Sequence, residues 1–286
     1  MVGDDIRMQD TSGVETSQPT SHSDLHILAA SRFIDELDSE SFLSTVFEVI
    51  SGIVPLDNFI VFAYRQGYAA DLVYSNLDLA RLGRQMRPYT SGLYMLDPFY
   101  VADMQDHRRG LLHLAGVAPG DFEESEFYIT FYASVGVLDE LHYVIPIESG
   151  RSVHLFMERE QPSPKFSPAE IRHLAVLVPL VTSAIRRHWV WRDNALSLQH
   201  PSPIQSAGGI NGVIRNMRPG QITPREVEVI GLSLRGYSSK LIAHQLGISE
   251  GTVTNHKRNV YDKLKIHSQS QLFSLFLETL TNTSGS

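Results

Sequence analysis

The sequence has 286 residues, of which 42% are hydrophobic and 20% are charged, a balance that predicts a folded chain with room for two domains. It contains no cysteine, which excludes disulfides and thiolate metal sites and fits a reducing cytoplasm. The formal net charge is -8, no apolar run is long enough to cross a membrane, and the polar, acidic N-terminus does not resemble a signal peptide. We therefore expect a cytoplasmic protein.

Residues 1–22 are rich in Ser, Thr, Asp and Gln and predict a disordered leader. His22 and His26 have the spacing of two metal ligands on a helix, but no third ligand accompanies them. A solvated histidine pair is the better interpretation.

The segment 23–195 alternates between helical and strand periodicity. This order predicts an α+β fold, an α-β-α sandwich around a mostly antiparallel sheet, and it resembles sensory domains of the PAS/GAF-like kind. The predicted helices are 24–37, 42–52, 79–86, 122–134 and a long one from 167 onward; the predicted strands are 58–64, 72–74, 140–147 and 152–158, and 105–121 is predicted to be mostly loop.

Between 196 and 220 the composition shifts to Ser, Pro, Gly, Gln and Asn, which predicts an interdomain linker. The part that follows, 221–282, contains helix-boundary residues at regular intervals. Those residues are Thr223, Pro224 and Glu226 as a capping box, Gly236 as a stop, Ser238 and Ser239 as caps, Gly247 as a second stop and Ser249 as the cap of a third helix. Two helices joined by a short glycine turn, the second polar and basic outside, are typical of a helix-turn-helix that enters the DNA major groove.

Positive charge is concentrated in this C-terminal part. From Pro219 onward seven basic residues face five acidic ones, and four of the five lysines of the chain lie there. The rest of the chain is strongly acidic. This asymmetry indicates a basic DNA reader attached to an acidic module.

The C-terminal pattern resembles the DNA-binding domain of LuxR-type (LuxR/FixJ) bacterial transcriptional regulators. The matching residues run from Thr223-Pro-Arg-Glu through Ile242-Ala and Ile248-Ser to Thr252-Val, His256 and Lys263-Leu264. The resemblance implies an all-α domain of four helices that binds double-stranded DNA. It also implies that the last helix, 269–280 with Leu272, Phe273, Phe276 and Leu280, is a dimerisation element, so we expect a homodimer that reads two half-sites.

The helix after Ser249 is the predicted recognition helix. Thr254, Asn255 and Arg258 match positions that contact bases in the family, and Asn and Arg suit adenine and guanine. The remaining predicted DNA contacts, through phosphates or packing, are Thr252, His256, Lys257, Lys240 and Ser238. The alternative for any single basic residue is a solvated surface charge.

The input domain is predicted by exclusion. A phosphoreceiver needs a lysine at a strand end, but Lys165 is the only lysine before residue 240, and no Gly-Lys dipeptide forms an ATPase phosphate loop. A small-molecule sensor remains, and segment 23–195 is similar in layout to the autoinducer-binding domains of quorum-sensing LuxR proteins. The acyl-homoserine-lactone sensors of the family have a Trp and a Tyr ahead of an Asp-Pro; Asp97-Pro98 matches, whereas Arg84 and Pro88 stand where the aromatic residues belong and Tyr89 is one place off. We therefore expect a different small effector, and the alternative is a ligand-independent regulator controlled by protein partners or by its expression level.

The candidate effector pocket consists of residues on the central strands and around Asp97. For the aromatic members the alternative is a packed core, and for Asp97 it is a helix cap before proline. The candidates are Asp97, Tyr94, Phe99, Phe62, Tyr64, Tyr74 and Tyr143. No nucleophile motif, metal triad or cofactor loop is evident, so we expect neither an enzyme nor a cofactor, and we interpret strand residues His142 and His154 as satisfied side chains.

Overall fold

The computed structural model describes residues 22–148, 150–195 and 209–284; residues 1–21 of the predicted leader (1–22) and residues 196–208 of the predicted linker lie outside them, whereas His22 begins a helix. The five strands are β1 (Asn58–Arg65), β2 (Asp71–Ser75), β3 (Gly110–His113), β4 (Val137–Glu148) and β5 (Arg151–Glu160). They form one antiparallel sheet in the order β2-β1-β5-β4-β3. The predicted α+β class and antiparallel sheet are confirmed.

Helices surround this sheet and form the whole of the C-terminal part. They are α1 (His22–Glu36), α2 (Phe42–Ile53), α3 (Leu79–Thr90), α4 (Pro98–Met104), α5 (Leu114–Val117), α6 (Ala133–Val135), α7 (Pro168–Ala195), α8 (Gly209–Met217), α9 (Pro224–Leu234), α10 (Ser239–Leu246), α11 (Glu250–Leu264) and α12 (Gln269–Ser284). Short 3-10 turns lie at Leu93–Leu96 and Phe122–Glu124, and a π turn lies at Tyr128–Tyr132.

One face of the sheet packs against α1, α2 and α7. The long helix α7 contributes a continuous buried stripe, and alternate strand residues meet it because successive side chains of a strand point to opposite faces. Each fully buried aliphatic side chain contributes about 1.5–3 kcal/mol relative to exposure. The central members of this core are Phe59, Val61, Leu155, Met157, Leu174, Leu177, Val181 and Ile185.

The opposite face, which we call the sensory face, carries Ile60, Phe62 and Tyr64 of β1 and Phe156 of β5. Less regular elements cover it: α3, the 3-10 turn Leu93–Leu96, α4 and the π turn. The 3-10 turn ends and α4 begins at Asp97-Pro98, as the proline requires.

Two predicted segments differ from the structure here. The predicted loop 105–121 contains β3 and α5, because residues 110–113 complete a ladder with residues 141–144 of β4. The predicted helix 122–134 is broken into a 3-10 turn, a π turn and one turn of α6. Pairing and packing with distant residues decide both outcomes, and a local pattern does not contain that information.

The prediction that the whole of 196–220 is linker is wrong for residues 209–217, which form α8. Its Ile210, Val213 and Ile214 are buried and belong to the core shared with α9 and α12. The prediction rested on the Gly and Asn content of this stretch, but a buried apolar stripe outweighs the weak helix propensity of these residues.

The C-terminal helices α8–α12 dock on the sensory side of the N-terminal domain. At Gly92 a Cβ would lie 2.6 Å from Leu280 Cδ2 of α12, and at Gly236 it would lie 2.9 Å from Ser125 Cβ. Arg235 Nη1 donates to Gln105 Oε1 at 3.3 Å, and the Ser270 hydroxyl donates to Glu126. The two domains therefore share one apolar core and several polar contacts.

Among the residues that the structure describes, α7 is the one helix whose length and composition would suffice to cross a membrane. Its buried stripe packs on the sheet, as the core helix of a folded domain does. The helix lies along one face of the sheet, and its other side is exposed at Val176 and Val190.

Candidate nucleic-acid interface and sensory face

We call α8–α12 the reader domain, and within it α9, α10 and α11 are the reader helices. The first of them begins at a capping box, in which Thr223 Oγ1 accepts from Glu226 N at 3.3 Å and the Glu226 carboxylate accepts from Thr223 N at 2.8 Å. Lys263 Nζ lies 2.6 and 2.7 Å from the two Glu226 oxygens. Burial alone would raise the pKa of Glu226, but Lys263 and Thr223 hold it below its ordinary value. This ion pair ties the start of α9 to the end of α11.

The next two helices form the helix-turn-helix. Ser238 caps α10 by accepting from Leu241 N at 3.4 Å, and Gly247 ends it in the left-handed conformation with φ 64°. Ser249 then caps α11 by accepting from Thr252 N at 3.1 Å. The helices pack on a small core of Val229, Leu232, Ile242, Ala243 and Val253.

The outer face of α11 carries the predicted base-contacting residues. Thr254, Asn255 and Arg258 are all exposed, and the Thr254 hydroxyl donates to Glu250 O at 3.0 Å while its oxygen stays open to a donor. Thr252, His256 and Lys257 are half-buried, so they flank the exposed edge rather than form it. The exposed side chains of Thr254, Asn255 and Arg258 together suit direct readout of base edges in a groove.

The cations near this edge differ in their surroundings. Within the described residues no carboxylate lies within salt-bridge distance of Arg258, Lys240 or Lys257, whereas Lys263 is held by Glu226. Partial burial lowers the pKa of Lys257. Arg258 and Lys240 are exposed, so their charged groups can contact phosphates or bases. Ser238 is half-buried, and its hydroxyl oxygen accepts the capping hydrogen bond from Leu241 N.

The sensory face is lined by aromatic rings in contact with one another. The Phe62 ring centroid lies 4.9 Å from that of Tyr89 and 5.2 Å from that of Phe156, and the Tyr64 centroid lies 5.8 Å from that of Tyr94. All five rings are at most 4% exposed. They form a buried aromatic cluster on the sensory face of the sheet.

A series of hydrogen bonds runs through this aromatic cluster and ends at Asp97. The Tyr64 and Tyr89 hydroxyls lie 2.7 Å apart, and Tyr89 donates to Asp97 Oδ2 at 2.6 Å. Asp97 Oδ1 accepts from Phe99 N at 2.7 Å and so caps α4. Burial raises the pKa of Asp97, although the bonds from Tyr89 and Phe99 oppose the shift, and burial raises the pKa of both tyrosines well above the ordinary value. Asp97 therefore combines a capping role with a buried polar site.

Further titratable side chains lie along the same face. Glu140 and Glu158 are cross-strand partners, both buried, and Glu158 accepts from Asn58 Nδ2 at 2.9 Å. Burial raises the pKa of Glu158 to about 7, and burial likewise raises that of Glu140. His142 Nε2 lies 2.7 Å from Glu140 Oε1, between the rings of Phe99 and Phe156.

The second strand histidine of this face, His154, lies with Nε2 2.8 Å from Asp103 Oδ2. Each histidine thus has one carboxylate partner, while both Nδ1 atoms are buried without a partner among the described residues. In the same residues no group of three or more His, Asp or Glu is arranged to hold a metal ion. The cluster is a network of buried acids and imidazoles.

The comparisons with known proteins agree with the geometry of the reader. The family "Bacterial regulatory proteins, luxR family" matches residues 221–276. A protein of Aeromonas salmonicida, "Putative HTH-type transcriptional regulator in exeN 3'region", is 32% identical over 186 residues, which is 64% of this chain and 94% of that protein. This chain belongs to the LuxR family. It is a DNA-binding transcriptional regulator of the LuxR type.

Similarity to the Aeromonas protein extends well beyond the reader, since the alignment is far longer than the helix-turn-helix. The monoamine regulon transcriptional regulator of Klebsiella aerogenes, by contrast, is 41% identical over only 56 residues, 20% of this chain and 25% of that protein. The LBD domain of VqsR from Pseudomonas aeruginosa has the same fold as the N-terminal part: its TM-score is 0.51, with 24% identity over 58% of this chain and 96% of that structure.

The structure of this LuxR-family regulator brings only some of the predicted effector residues together. Phe62, Tyr64, Tyr94 and Asp97 lie on or against the sensory face, and Phe99 stacks there on His142. Tyr74 and Tyr143 lie on the opposite face, in the core with α2 and α7, so they cannot share a pocket with the others. The Tyr143 hydroxyl donates to Leu174 O of α7 at 2.6 Å, which is a core contact.

The predicted dimerisation face of α12 is also used differently. Leu272, Phe273, Phe276 and Leu280 are at most 4% exposed and pack inside this chain, in the core that joins the two domains. In this arrangement that face is not open to a second copy.

Two features of the sensory face escaped the sequence reasoning. Tyr89 stands one place off the family's aromatic position, and yet its hydroxyl is the group that donates to Asp97. Glu140 and Glu158 are not among the predicted effector residues. The sequence does contain a signal for them, because polar side chains recur on one face of each strand. Glu140 and His142 are two residues apart on β4, and His154 and Glu158 are four residues apart on β5, so each pair lies on a single face.

Proposed function

We propose that this regulator binds a specific operator as a homodimer and that a small molecule on the sensory face tunes its DNA binding. The observation that carries the DNA-binding proposal is the exposed edge of α11, where Thr254, Asn255 and Arg258 follow a capped turn. Asn and Arg can each make two bonds to one base, which is worth about 1–3 kcal/mol of discrimination per pair.

The test is a triple alanine variant at Thr254, Asn255 and Arg258, measured by fluorescence anisotropy on operator DNA and on unrelated DNA. We expect specific binding to fall to the level of unrelated DNA, since the phosphate contacts that remain carry no sequence information. Arg84→Ala, an exposed arginine on helix α3 of the N-terminal domain, is the matched control and should bind like the wild type. Retained specificity in the triple variant would show that other residues read the operator.

The effector proposal is supported by the buried polar groups of the sensory face, where Asp97, Glu140 and Glu158 lie among aromatic rings. Buried acids of this kind suit the recognition of polar atoms on a small ligand. The mismatch of Arg84 and Pro88 with the family aromatic positions argues against a standard acyl-homoserine lactone.

A thermal-shift screen of the full chain against fractionated metabolites tests this proposal. A ligand present at 100 times its dissociation constant should stabilise the protein by about 2.7 kcal/mol. Tyr89→Phe should abolish the response to a sensory-face ligand, while Tyr143→Phe, on the other face, should leave it intact.

A ligand-independent regulator is the second candidate, and one observation favours it. The rings of Phe62, Tyr89 and Phe156 already contact one another at 4.9–5.9 Å and fill the centre of the sensory face. A screen without any hit, together with unchanged operator affinity in metabolite extracts, would favour this candidate.

We further propose that the protein acts in the cytoplasm and catalyses no reaction. The support is that the Aeromonas and Klebsiella relatives are named as transcriptional regulators.

Light scattering at micromolar concentration tests the homodimer, for which a mass of twice 32.0 kDa is expected.

A further inference from the structure

A second site lies away from the centre of the sensory face, in the cleft between the two domains. The cleft has a volume of about 1070 Å³. The N-terminal domain contributes Met95, Tyr100 and Gln105 to its wall, and the reader domain contributes Ile210, Leu232 and Arg235. Clefts at domain interfaces are a preferred place for small ligands because two surfaces can enclose them.

Arg235 is a cation of this cleft that has no salt-bridge partner among the described residues. It follows the last residue of α9, and its Nη1 donates to the neutral side chain of Gln105 at 3.3 Å. Its Nε is buried without a hydrogen-bond partner, and no carboxylate of the described residues lies within salt-bridge distance. Burial lowers the pKa of the guanidinium, which remains charged at neutral pH. Arg235 as a whole is half-buried, so its guanidinium is reachable from the cleft and can bind an anion there.

The other two arginines of the cleft are already neutralised. Arg109 forms an ion pair with Asp103, and Arg151 Nη1 lies 2.7 Å from Glu148 Oε1. The third carboxylate of the wall, Glu228, lies 2.7 Å from Arg225 Nη1, which does not line the cleft, so Arg235 is the wall arginine that has no salt-bridge partner among the described residues.

We propose that the interdomain cleft binds a small amphiphilic anion, with a carboxylate or phosphate head on Arg235 and an apolar body against Met95, Ile210 and Leu232. A guanidinium presents a planar fork of donors that matches either head group in two-bonded fashion. Since both domains line the cleft, a bound anion stabilises their docked arrangement. Asp97, Glu140 and Glu158 of the sensory face do not line this cleft, and the proposal does not depend on an effector there.

The test uses the full chain and four probes that each contain a chain of six carbon atoms: hexanoate, hexyl phosphate, hexylamine and hexanol. Isothermal titration and thermal unfolding should show binding and a rise in melting temperature for at least one of the two anions. Hexylamine and hexanol should bind at least about tenfold more weakly, because a charged hydrogen bond is lost. The ratio between hexanoate and hexyl phosphate identifies the preferred head group.

Variants locate the probe in the cleft. Arg235→Gln should raise the dissociation constant of the anion about 10- to 100-fold. Gln245→Glu places a negative charge at an exposed position of the cleft wall, where folding is not at stake, and should also weaken binding. Arg258→Gln, on the exposed edge of α11, is the matched control: it should lose operator affinity but keep anion binding, which separates this proposal from the proposed DNA readout.

Three results would overturn the proposal. The first is that neither anion binds, the second is that hexanol or hexylamine binds as tightly as the anions, and the third is that Arg235→Gln binds the anion like the wild type.

Discussion

Gly236 tests whether the reader domain docks on the N-terminal domain in solution. This glycine follows α9 with φ 86°, in the left-handed region, and it faces Ser125 of the N-terminal domain. A Cβ at this position would lie 2.9 Å from Ser125 Cβ and 3.2 Å from Ser125 Oγ. Gly236→Ala therefore imposes two costs, one from the backbone conformation and one from the contact between domains.

Gly247 separates these two costs. It has φ 64°, and nothing lies within 4 Å of the position that a Cβ would take. Gly247→Ala should cost about 1–2 kcal/mol for the left-handed conformation alone. Gly236→Ala should cost this amount plus about 1–3 kcal/mol for the crowded contact. The gain from a stiffer unfolded chain is the same for both and cancels in the difference.

Urea unfolding of the full chain measures both variants, and Ser125→Gly completes the comparison. If the domains dock as described, Ser125→Gly should relieve the excess cost in Gly236→Ala and leave Gly247→Ala unaffected, a coupling of about 1–3 kcal/mol. Equal losses in the two alanine variants, with no coupling to Ser125, would refute docking in solution.

Three further predictions concern charge and polar contacts. Burial raises the pKa of Glu158 to about 7 from an ordinary 4.5, so between these two pH values the folded state holds a proton that the unfolded chain has lost. The free energy of unfolding should therefore fall by up to about 3 kcal/mol as the pH rises from 4.5 to 7. Glu158→Gln should flatten this pH dependence, as measured by urea unfolding between pH 4.5 and pH 8. Tyr89→Phe leaves a buried carboxylate oxygen without its donor and should cost about 2–3 kcal/mol, whereas Tyr143→Phe removes a bond to a neutral carbonyl and should cost about 1 kcal/mol, as differential urea midpoints will show. Arg258→Ala should relax specificity at one base position by about 1–3 kcal/mol, whereas Lys240→Ala should weaken binding to all sequences alike and reduce the salt dependence by about one charge, both measured by salt titrations on matched and mismatched DNA.

Local chemistry explains why the reader helices were predictable from the sequence. The three helix starts at Thr223, Ser238 and Ser249 each make the expected side-chain cap, and Gly247 has the expected left-handed conformation. Each of these signals involves residues at most a few positions apart, so no tertiary information is needed.

The sensory face was less predictable because strand register decides which side chains meet. Tyr64 pairs with Ser152 and Tyr143 pairs with Leu155. Since 152 and 155 differ by an odd number of residues on β5, the two tyrosines point to opposite faces. Sequence composition groups all strand aromatics together, whereas the ladder separates them.

Tyr74 has a further reason to lie elsewhere. The β1–β2 ladder shifts register between Val61 and Phe62, which re-aims the side chains of β2, and Tyr74 packs on Phe59 of the opposite core. A bulge of this kind depends on the partner strand and leaves no sign in the strand's own sequence.

The apolar stripe of α12 links the proposals on dimerisation, docking and the cleft anion. Leu272, Phe273, Phe276 and Leu280 are buried in the core that joins the domains, and the Leu280 side chain packs against Gly92. One stripe cannot cover a second subunit and the N-terminal domain at the same time. A dimer built on α12 therefore requires the reader domain to leave its docked position, and any ligand that binds only the docked arrangement opposes such a dimer by mass action. Dimerisation through the N-terminal domain carries no such cost, because the outer side of α7 keeps Val176 and Val190 exposed while the α12 stripe stays covered.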